Sequence, residues 1–386
     1  MVDVLYSKEK CCGCSACKNI CPKKCIKMIE DNEGFLYPKV DNGGCVNCGL
    51  CEKICPVINA EKAKNIPSKM RTYVAYISDE KIRMKSSSGG IFTALANYIL
   101  ENKGSIYGAA FDNNFKVRHI RIDSVNDLGM LQGSKYVQSD MGNIYLSVRK
   151  DLESGMKVLF TGTACQIAAL KFFLNNVYEN LITVDVLCHG VPSPLVWNKY
   201  IKELENKAGD KATDVFMRDK KYGWKLFSMS VKFKNNRKYV KKFTDDIYMK
   251  YFLKNISLRP ICYECGFKDM QRPSDLTIGD CWGIENYMTD MDDDKGTSVV
   301  IIHTDKGVDI FNAVSDMIVA KEAILDRALP ETAESRHSVK RHNKREEFFE
   351  RIQKGDGLDD MKNYVKLSFA KRGFDCARRF AGKLKK

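Results

Sequence analysis

No stretch of the 386-residue chain holds the run of about 20 apolar residues that a membrane helix needs, so a spanning segment is not expected. The opening residues, MVDVLYSKEKCCGC, lack the apolar centre of a secretory signal. The mature chain is therefore expected to begin at Met1 and to stay in the cytoplasm. No G-x-G-x-x-G follows a predicted strand, which removes the usual dinucleotide-binding fingerprint, and no helicase, glycosylase or RNA-binding motif is visible. Hydrophobic residues at 44% and charged residues at 29% are ordinary for a globular protein, which argues against wholesale disorder. The chain is long enough for two domains, one with a sizeable core.

Cysteine is what the chain has in excess. Sixteen are present, most in C-x2-C spacings that suit metal rather than the disulfides of a secreted protein. CCGCSACKNICP from Cys11 is echoed 34 positions later by CVNCGLCEKICP from Cys45. In this C-x2-C-x2-C-x3-C-P pattern, three cysteines of one loop hold one [4Fe-4S] cluster and the fourth crosses to the other. That rule assigns Cys11, Cys14, Cys17 and Cys55 to one cluster, and Cys45, Cys48, Cys51 and Cys21 to the second. Zinc also uses C-x2-C pairs, but four ligands satisfy it and it has no need of crossed quartets. Cys12 and Cys25 are left over and are expected to pack beside the clusters. The formal charge of +14 would suggest an acidic partner. Each cluster with its four thiolates carries about −2, lowering the sum to about +10 with two clusters and about +8 with three. Nucleic acid is accordingly not expected as a partner.

Between the cysteine loops, IKMIEDNEGFLYPKV reads as a hairpin turned at Gly34. Residues 1–60 form an α+β, dicluster ferredoxin-type domain on this reading, and the polar stretch 59–70 with Pro67 marks its end. TYVAYI, SIYGAAF, KVLFTGT, LITVDVL, DLTIGD and SVVIIHT then alternate with helical patterns such as IFTALANYILEN, QIAALKFFLNN and PLVWNKYIKELENK. That order predicts a larger α/β domain over 71–330. Within it, Asp214 to Lys254 contains a hairpin turned at Asn235 and Asn236, read as an antiparallel insertion. Residues 331–386 are basic and expected to be helical, with Val365, Phe369, Cys376 and Phe380 near one face.

Cys165, Cys188 and Cys281 follow predicted strands, whose carboxyl ends line the ligand crevice of an open α/β sheet. Cys262 and Cys265 add a loop C-x2-C pair. Five thiols thus compete for a third [4Fe-4S] cluster that needs four. Cys165, Cys188, Cys262 and Cys265 are the expected ligands and Cys281 the spare; zinc on the C-x2-C pair, with His189, is the alternative. His303 is expected to be a satisfied strand histidine. Ser86, Ser87, Ser88, Gly89 and Gly90, directly before a helix, could receive a phosphate or simply cap that helix. Lys135, Tyr136, Gln138 and Ser139 bring a cation, a ring and hydrogen-bond donors into a short loop. Clusters pass single electrons whereas most soluble organic reductants give two, so a converter is needed, and a flavin is the expected one.

SSSGGIFTAL, GSKYVQSD, TGTACQIAALK, VLCHGVPSP, the C-x2-C at Cys262 and LTIGDCWG, with the double ferredoxin before them, resemble the family of the coenzyme F420 hydrogenase/dehydrogenase beta subunit. The resemblance runs to about Thr304. It implies an α/β domain binding FAD beside an iron-sulfur cluster, with Ser86 to Gly90 and Lys135 to Ser139 at the flavin and Cys165, Cys188, Cys262 and Cys265 at the inner cluster. Cys281 departs from the family pattern, in which an aromatic residue often follows GD. The expected function is an iron-sulfur flavoprotein oxidoreductase exchanging electrons between its clusters and a two-electron donor or acceptor, either coenzyme F420 or another small molecule. Its partner would be a redox protein or a small-molecule reductant, within an oligomer or larger complex. A non-catalytic electron-transfer adaptor docked on a larger enzyme is the alternative, and the basic tail suits it. Lys135 and His189 are the polar groups to test first.

Overall fold

The computed structural model describes residues 7–64 and 70–366. In the amino-terminal part, β1 (Ile26–Glu30) and β2 (Leu36–Val40) pair antiparallel, Ile26 opposite Val40 and Glu30 opposite Leu36. Their turn is set by Asp31, whose Oδ1 accepts from the amides of Glu33 (3.0 Å) and Phe35 (2.9 Å), and by Gly34 at φ +84°. A two-stranded ribbon leaves edges free, so Pro38 is tolerated in β2 opposite Met28. The hairpin tip is driven into the larger domain. Phe35 is wholly buried in the core that holds Trp197 and Tyr248, and a Cβ on Gly34 would lie 2.5 Å from the Leu195 backbone nitrogen. Burying a phenylalanine stabilises this docking by about 1.5–3 kcal/mol.

The larger part is built on an eight-stranded mixed sheet among the described residues. Its strands are β3 (Arg71–Ile77), β4 (Ser105–Phe111), β5 (Val117–Ile122), β6 (Val158–Gly162), β7 (Leu181–Val186), and, after an interruption, three more. The interruption contributes β8 (Ala212–Asp219), β9 (Ser228–Phe233) and β10 (Lys238–Lys242), a separate antiparallel sheet in the order β10-β9-β8. The β9–β10 turn holds Asn236 at φ +63°, a conformation asparagine tolerates. The main sheet is completed by β11 (Leu276–Asp280), β12 (Ser298–Ile302) and β13 (Ile318–Glu322), giving the order β13-β3-β12-β11-β7-β6-β4-β5. β11, β7, β6 and β4 run parallel, and β3 points the same way because both it and β11 are antiparallel to β12. Five strands therefore deliver their carboxyl ends to one edge.

Helices cover both faces, as a sheet with continuous apolar strands such as SVVII, buried throughout, requires. Two of them start where the sequence dictates. Thr163 and Gln166 form a capping box that begins the helix Ala164–Leu174 directly after β6. Ser193 caps Pro194–Ala208, with proline in its first turn and Gly209 at φ +73° at its end. Beyond Pro330 the described chain is largely irregular until the helix Arg345–Gln353 and a 3-10 turn at Leu358–Val365. Phe369, Cys376 and Phe380 lie outside the described residues. No described helix is long and apolar enough to cross a membrane.

Candidate redox centre

Cys55 of the second loop lies near Cys14 and Cys17 of the first. Burial raises the pKa of Cys17, followed by the charge of Cys11 and then Cys55; the charges of Cys17 and Cys55 in turn act on Cys14. The first three come from one loop and Cys55 from the other. Cys21, Cys45, Cys48 and Cys51 line a single cavity walled by Pro22, Ile26, Val40 and Leu50, with about 550 Å³ of empty space counting what opens to solvent. Cys25 shares that cavity, its sulfur 3.4 Å from that of Cys21, so five thiols face the space of four ligands.

The inner cysteines come from three segments of the chain. Cys165 sits in the first turn of the helix that follows β6, and Cys188 lies two residues past β7. Cys262 belongs to a short 3-10 helix, Pro260–Glu264, and Cys265 follows it. Burial pushes the Cys188 thiol up to about 12, with the charges of Cys165 and Cys265 adding to it; burial, Cys188 and Cys265 act in the same direction on Cys262. Thiols that resist ionisation together are relieved when a cationic core replaces their protons. Among the described residues no three His, Cys, Asp or Glu side chains converge on a point that one metal ion could occupy. A cubane puts each cysteine on a different iron, so its ligands stand farther apart than those of zinc. All-sulfur sets of four fit iron-sulfur chemistry.

Cys281 stands apart. It is buried among Val74, Trp224 and Val299, its sulfur bonds weakly to the Ala328 carbonyl (3.6 Å), and its charged neighbours are Asp280 and Glu285 rather than other thiols. His189 is bound by Asn255 (2.6 Å) and Glu334 (3.0 Å), while His303 meets Thr277 through Nε2 (2.8 Å) and leaves Nδ1 without a partner among the described residues.

Cys12, a spare in the ligand count, occupies the junction between the two parts. Its thiol is influenced first by Cys14 of its own loop and then by Cys165. Its carbonyl accepts from Gln138 Nε2 (3.3 Å), which places Gln138 against the ferredoxin loop. Ser139 is likewise engaged elsewhere, with His119 Nδ1 at 2.7 Å.

Ser86 to Gly90 lie beyond β3, on the same sheet edge. A short helix, Glu80–Lys85, capped by Asp79, turns the chain back, and the Ile77 amide then bonds the Gly89 carbonyl at 2.7 Å. Ser86 donates to the Ile82 carbonyl (2.8 Å) and Ser88 to that of Thr297 (3.0 Å). Ser87 joins the two candidate loops: its Oγ accepts from the Ser134 amide at 2.7 Å. The helix Ile91–Glu101 begins there with no side-chain cap, leaving its first amides for a ligand or solvent. The Ser88 carbonyl also accepts from buried Lys220, whose ammonium spans the Arg83 (2.7 Å), Ser88 (2.7 Å) and Lys295 (2.6 Å) carbonyls; burial lowers its pKa to about 7. Lys135 donates to the Met130 and Gln132 carbonyls, both at 2.9 Å, and burial brings it to about 7 as well.

Tyr136 stacks on Phe252 (4.8 Å) and its hydroxyl accepts from Arg218 at 3.0 Å. Arg218 is held in a two-pronged pair by Asp280 at the end of β11 (2.8 and 3.0 Å). Trp224 Nε1 donates to the same carboxylate at 2.8 Å and lies flat against Trp282, ring centres 4.5 Å apart, which is 46% exposed. Sequence reasoning missed this group. The Asp-Cys-Trp run at the end of β11 is its one local hint, since Arg218 and Trp224 arrive from the β8–β9 segment.

Three family descriptions match successive parts of the chain. A 4Fe-4S dicluster domain matches residues 10–59. The beta subunit of coenzyme F420 hydrogenase/dehydrogenase is matched by its amino-terminal description over residues 72–145 and by its carboxyl-terminal description over 155–326. Similar curated proteins include one component of the F(420)H(2) dehydrogenase of Methanosarcina mazei, 24% identical over 47% of this chain and 53% of that protein. Coenzyme F420-dependent sulfite reductase of Methanocaldococcus jannaschii is 26% identical over 79% of this chain and 46% of its own length. The chain thus spans about half the length of these curated relatives. A chain of the F420-reducing [NiFe] hydrogenase complex from Methanosarcina barkeri aligns with TM-score 0.45 and 21% identity, over 67% of this chain and 82% of that one. With both beta-subunit halves matched behind a dicluster domain, the chain belongs to the family of the coenzyme F420 hydrogenase/dehydrogenase beta subunit.

Proposed function

We propose that the chain is an iron-sulfur flavoprotein oxidoreductase, exchanging electrons between a two-electron donor or acceptor and three [4Fe-4S] clusters by way of FAD. The observation that carries this reading is the docking of the ferredoxin loop on the segment of the inner cysteines, where Arg259, three residues before Cys262, donates through Nε to the Cys11 carbonyl at 2.6 Å. The inner set is Cys165, Cys188, Cys262 and Cys265; Cys281, whose charged neighbours are carboxylates, stands outside it. FAD, when bound, supplies the conversion between hydride and single electrons.

This chain's own residues hold and orient. The amides at the start of Ile91–Glu101 and the loop Ser86 to Gly90 would hold the phosphates of FAD, helped by the helix dipole. Lys135, fixed by two carbonyls, offers a cation whose charge titrates near pH 7. Arg218 and Asp280 set Tyr136 and the Trp224–Trp282 pair, of which Trp282 is exposed. The relatives' names suggest F420 as the donor or acceptor, and a protein redox partner within a larger complex serves equally.

Anaerobic purification followed by iron, acid-labile sulfide and flavin analysis tests this directly. About twelve irons and one FAD per chain are expected. About eight irons would remove the inner cluster, absence of FAD would leave an electron-transfer adaptor, and colourless protein holding zinc would overturn the whole reading.

A further inference from the structure

Arg259 is completely buried, and it is unlike the other buried arginines of this chain. Arg83 faces Asp293, Arg218 faces Asp280, Arg272 faces Asp185 and Arg345 faces Glu33. Among the described residues no carboxylate lies within ion-pair distance of Arg259. Its Nε donates to the Cys11 carbonyl (2.6 Å), Nη1 to Gln138 Oε1 (2.7 Å), and Nη2 to the Leu36 carbonyl (2.9 Å) and to the Cys11 sulfur (3.6 Å). The plane lies over Tyr37, 4.1 Å from the ring centre. A guanidinium taken from water without an anion is strongly disfavoured, so a countercharge is called for. The ionisable groups beside Arg259 are Cys11 first, then Tyr37, Cys12 and Cys262, with no carboxylate among them. Cys262 is three residues on, and its amide bonds the Arg259 carbonyl at 3.0 Å.

We infer that Arg259 is a positioning residue whose charge raises the reduction potential of the cluster held by Cys11, Cys14, Cys17 and Cys55. The inference rests on the cluster reading above. Reduction adds one electron to that cluster, from a neighbouring cluster or a chemical reductant, with no bond made or broken. The unit goes from about −2 to about −3, and a cation donating to a ligand sulfur favours the more negative state. Burial keeps solvent from screening it. Placed between Cys11 and Cys262, the same cation biases electrons on the ferredoxin side toward the cluster nearest the sheet edge.

The test is a redox titration of the full chain, followed by electron paramagnetic resonance of the reduced clusters, for the parent, Arg259→Gln, Arg259→Lys and Arg345→Gln. Arg345 pins the same hairpin through Glu33 (2.8 and 2.5 Å) and has no contact with a cysteine sulfur among the described residues, so its variant loosens docking while the Arg259 guanidinium stays at Cys11. Arg259→Gln should lower the reduction equilibrium constant of one cluster at least tenfold, which is about 59 mV for one electron, with iron content retained. Arg259→Lys should stay within about threefold of the parent, roughly half of that shift or less on the same scale, and Arg345→Gln should leave all midpoints in place. Unchanged midpoints in fully loaded Arg259→Gln would overturn the inference, as would equal shifts in the lysine and glutamine variants. Iron loss from both Arg259 variants also overturns it, because charge would then not be what the position supplies. A parent chain without iron would instead sink the cluster reading itself, which the iron analysis reports separately.

Discussion

Replacing Asp280 by alanine should cost far more than the loss of one surface carboxylate, because of what the carboxylate holds. Arg218 has 4% of its side chain exposed and Asp280 18%, so the pair is essentially desolvated. Asp280 accepts two bonds from Arg218 and one from the Trp224 indole, and Arg218 Nε already lacks a partner among the described residues. Removing the carboxylate strands a buried cation, leaving it the hydrogen bond to the Tyr136 hydroxyl. Breaking one side of a buried pair costs about 3–5 kcal/mol. For a domain of this size each kcal/mol moves the melting temperature by about 2–4 °C, so a fall on the order of 10 °C is expected. Thermal unfolding followed by circular dichroism under argon measures it. The double variant Arg218→Met, Asp280→Ala removes both charges and should recover most of the loss, since paired replacement by apolar groups is commonly close to neutral. A drop under about 2 °C in the single variant, or a double variant worse than either single one, would refute the reasoning.

Two further outcomes follow from the same geometry. Gly89→Ala would put a Cβ 2.5 Å from the Ala75 carbonyl oxygen and 2.9 Å from the Ser298 nitrogen, backbone atoms of the sheet that cannot yield; overpacking of this kind costs about 1–3 kcal/mol. The displaced loop should lose flavin while iron per chain is unchanged, read as the ratio of released FAD to iron. His303 is buried and its pKa is lowered to about 4, below its unfolded value near 6.5. Between those values the unfolded chain binds the extra proton, so stability from this group is full above about pH 6.5 and is lost as pH falls toward 4. Denaturant midpoints measured across that range should flatten in His303→Gln relative to the parent; parallel curves would contradict the assignment.

The duplicated cysteine loops are the most legible part of the chain. A tight loop brings its own ligands together by covalent spacing alone, so Cys11, Cys14 and Cys17 can be grouped without knowing the fold, and the crossing rule adds Cys55. Strands are legible for a similar reason. TYVAYI, LITVDVL and SVVIIHT are short runs of β-branched and apolar residues between turns, and each is a strand of the main sheet. Strand order, by contrast, follows from long-range pairing: nothing local says that β12 returns between β3 and β11.

Sequence alone offers five thiols beyond the ferredoxin loops, and packing sets one of them apart. Cys281 leaves β11 toward the apolar cluster of Val74 and Trp224, while Cys165 and Cys188 leave β6 and β7 beside the C-x2-C loop. The same holds for polar residues within one motif. In Lys135 to Ser139, Lys135 folds back on the Met130 and Gln132 carbonyls and Tyr136 reaches the β11 end through Arg218, whereas Gln138 meets the ferredoxin loop and Ser139 meets His119. In the sequence Arg259 is one more basic residue of a strongly positive chain. Tertiary structure gives it its meaning, because a charge acquires energetic weight only from what surrounds it once water has been removed.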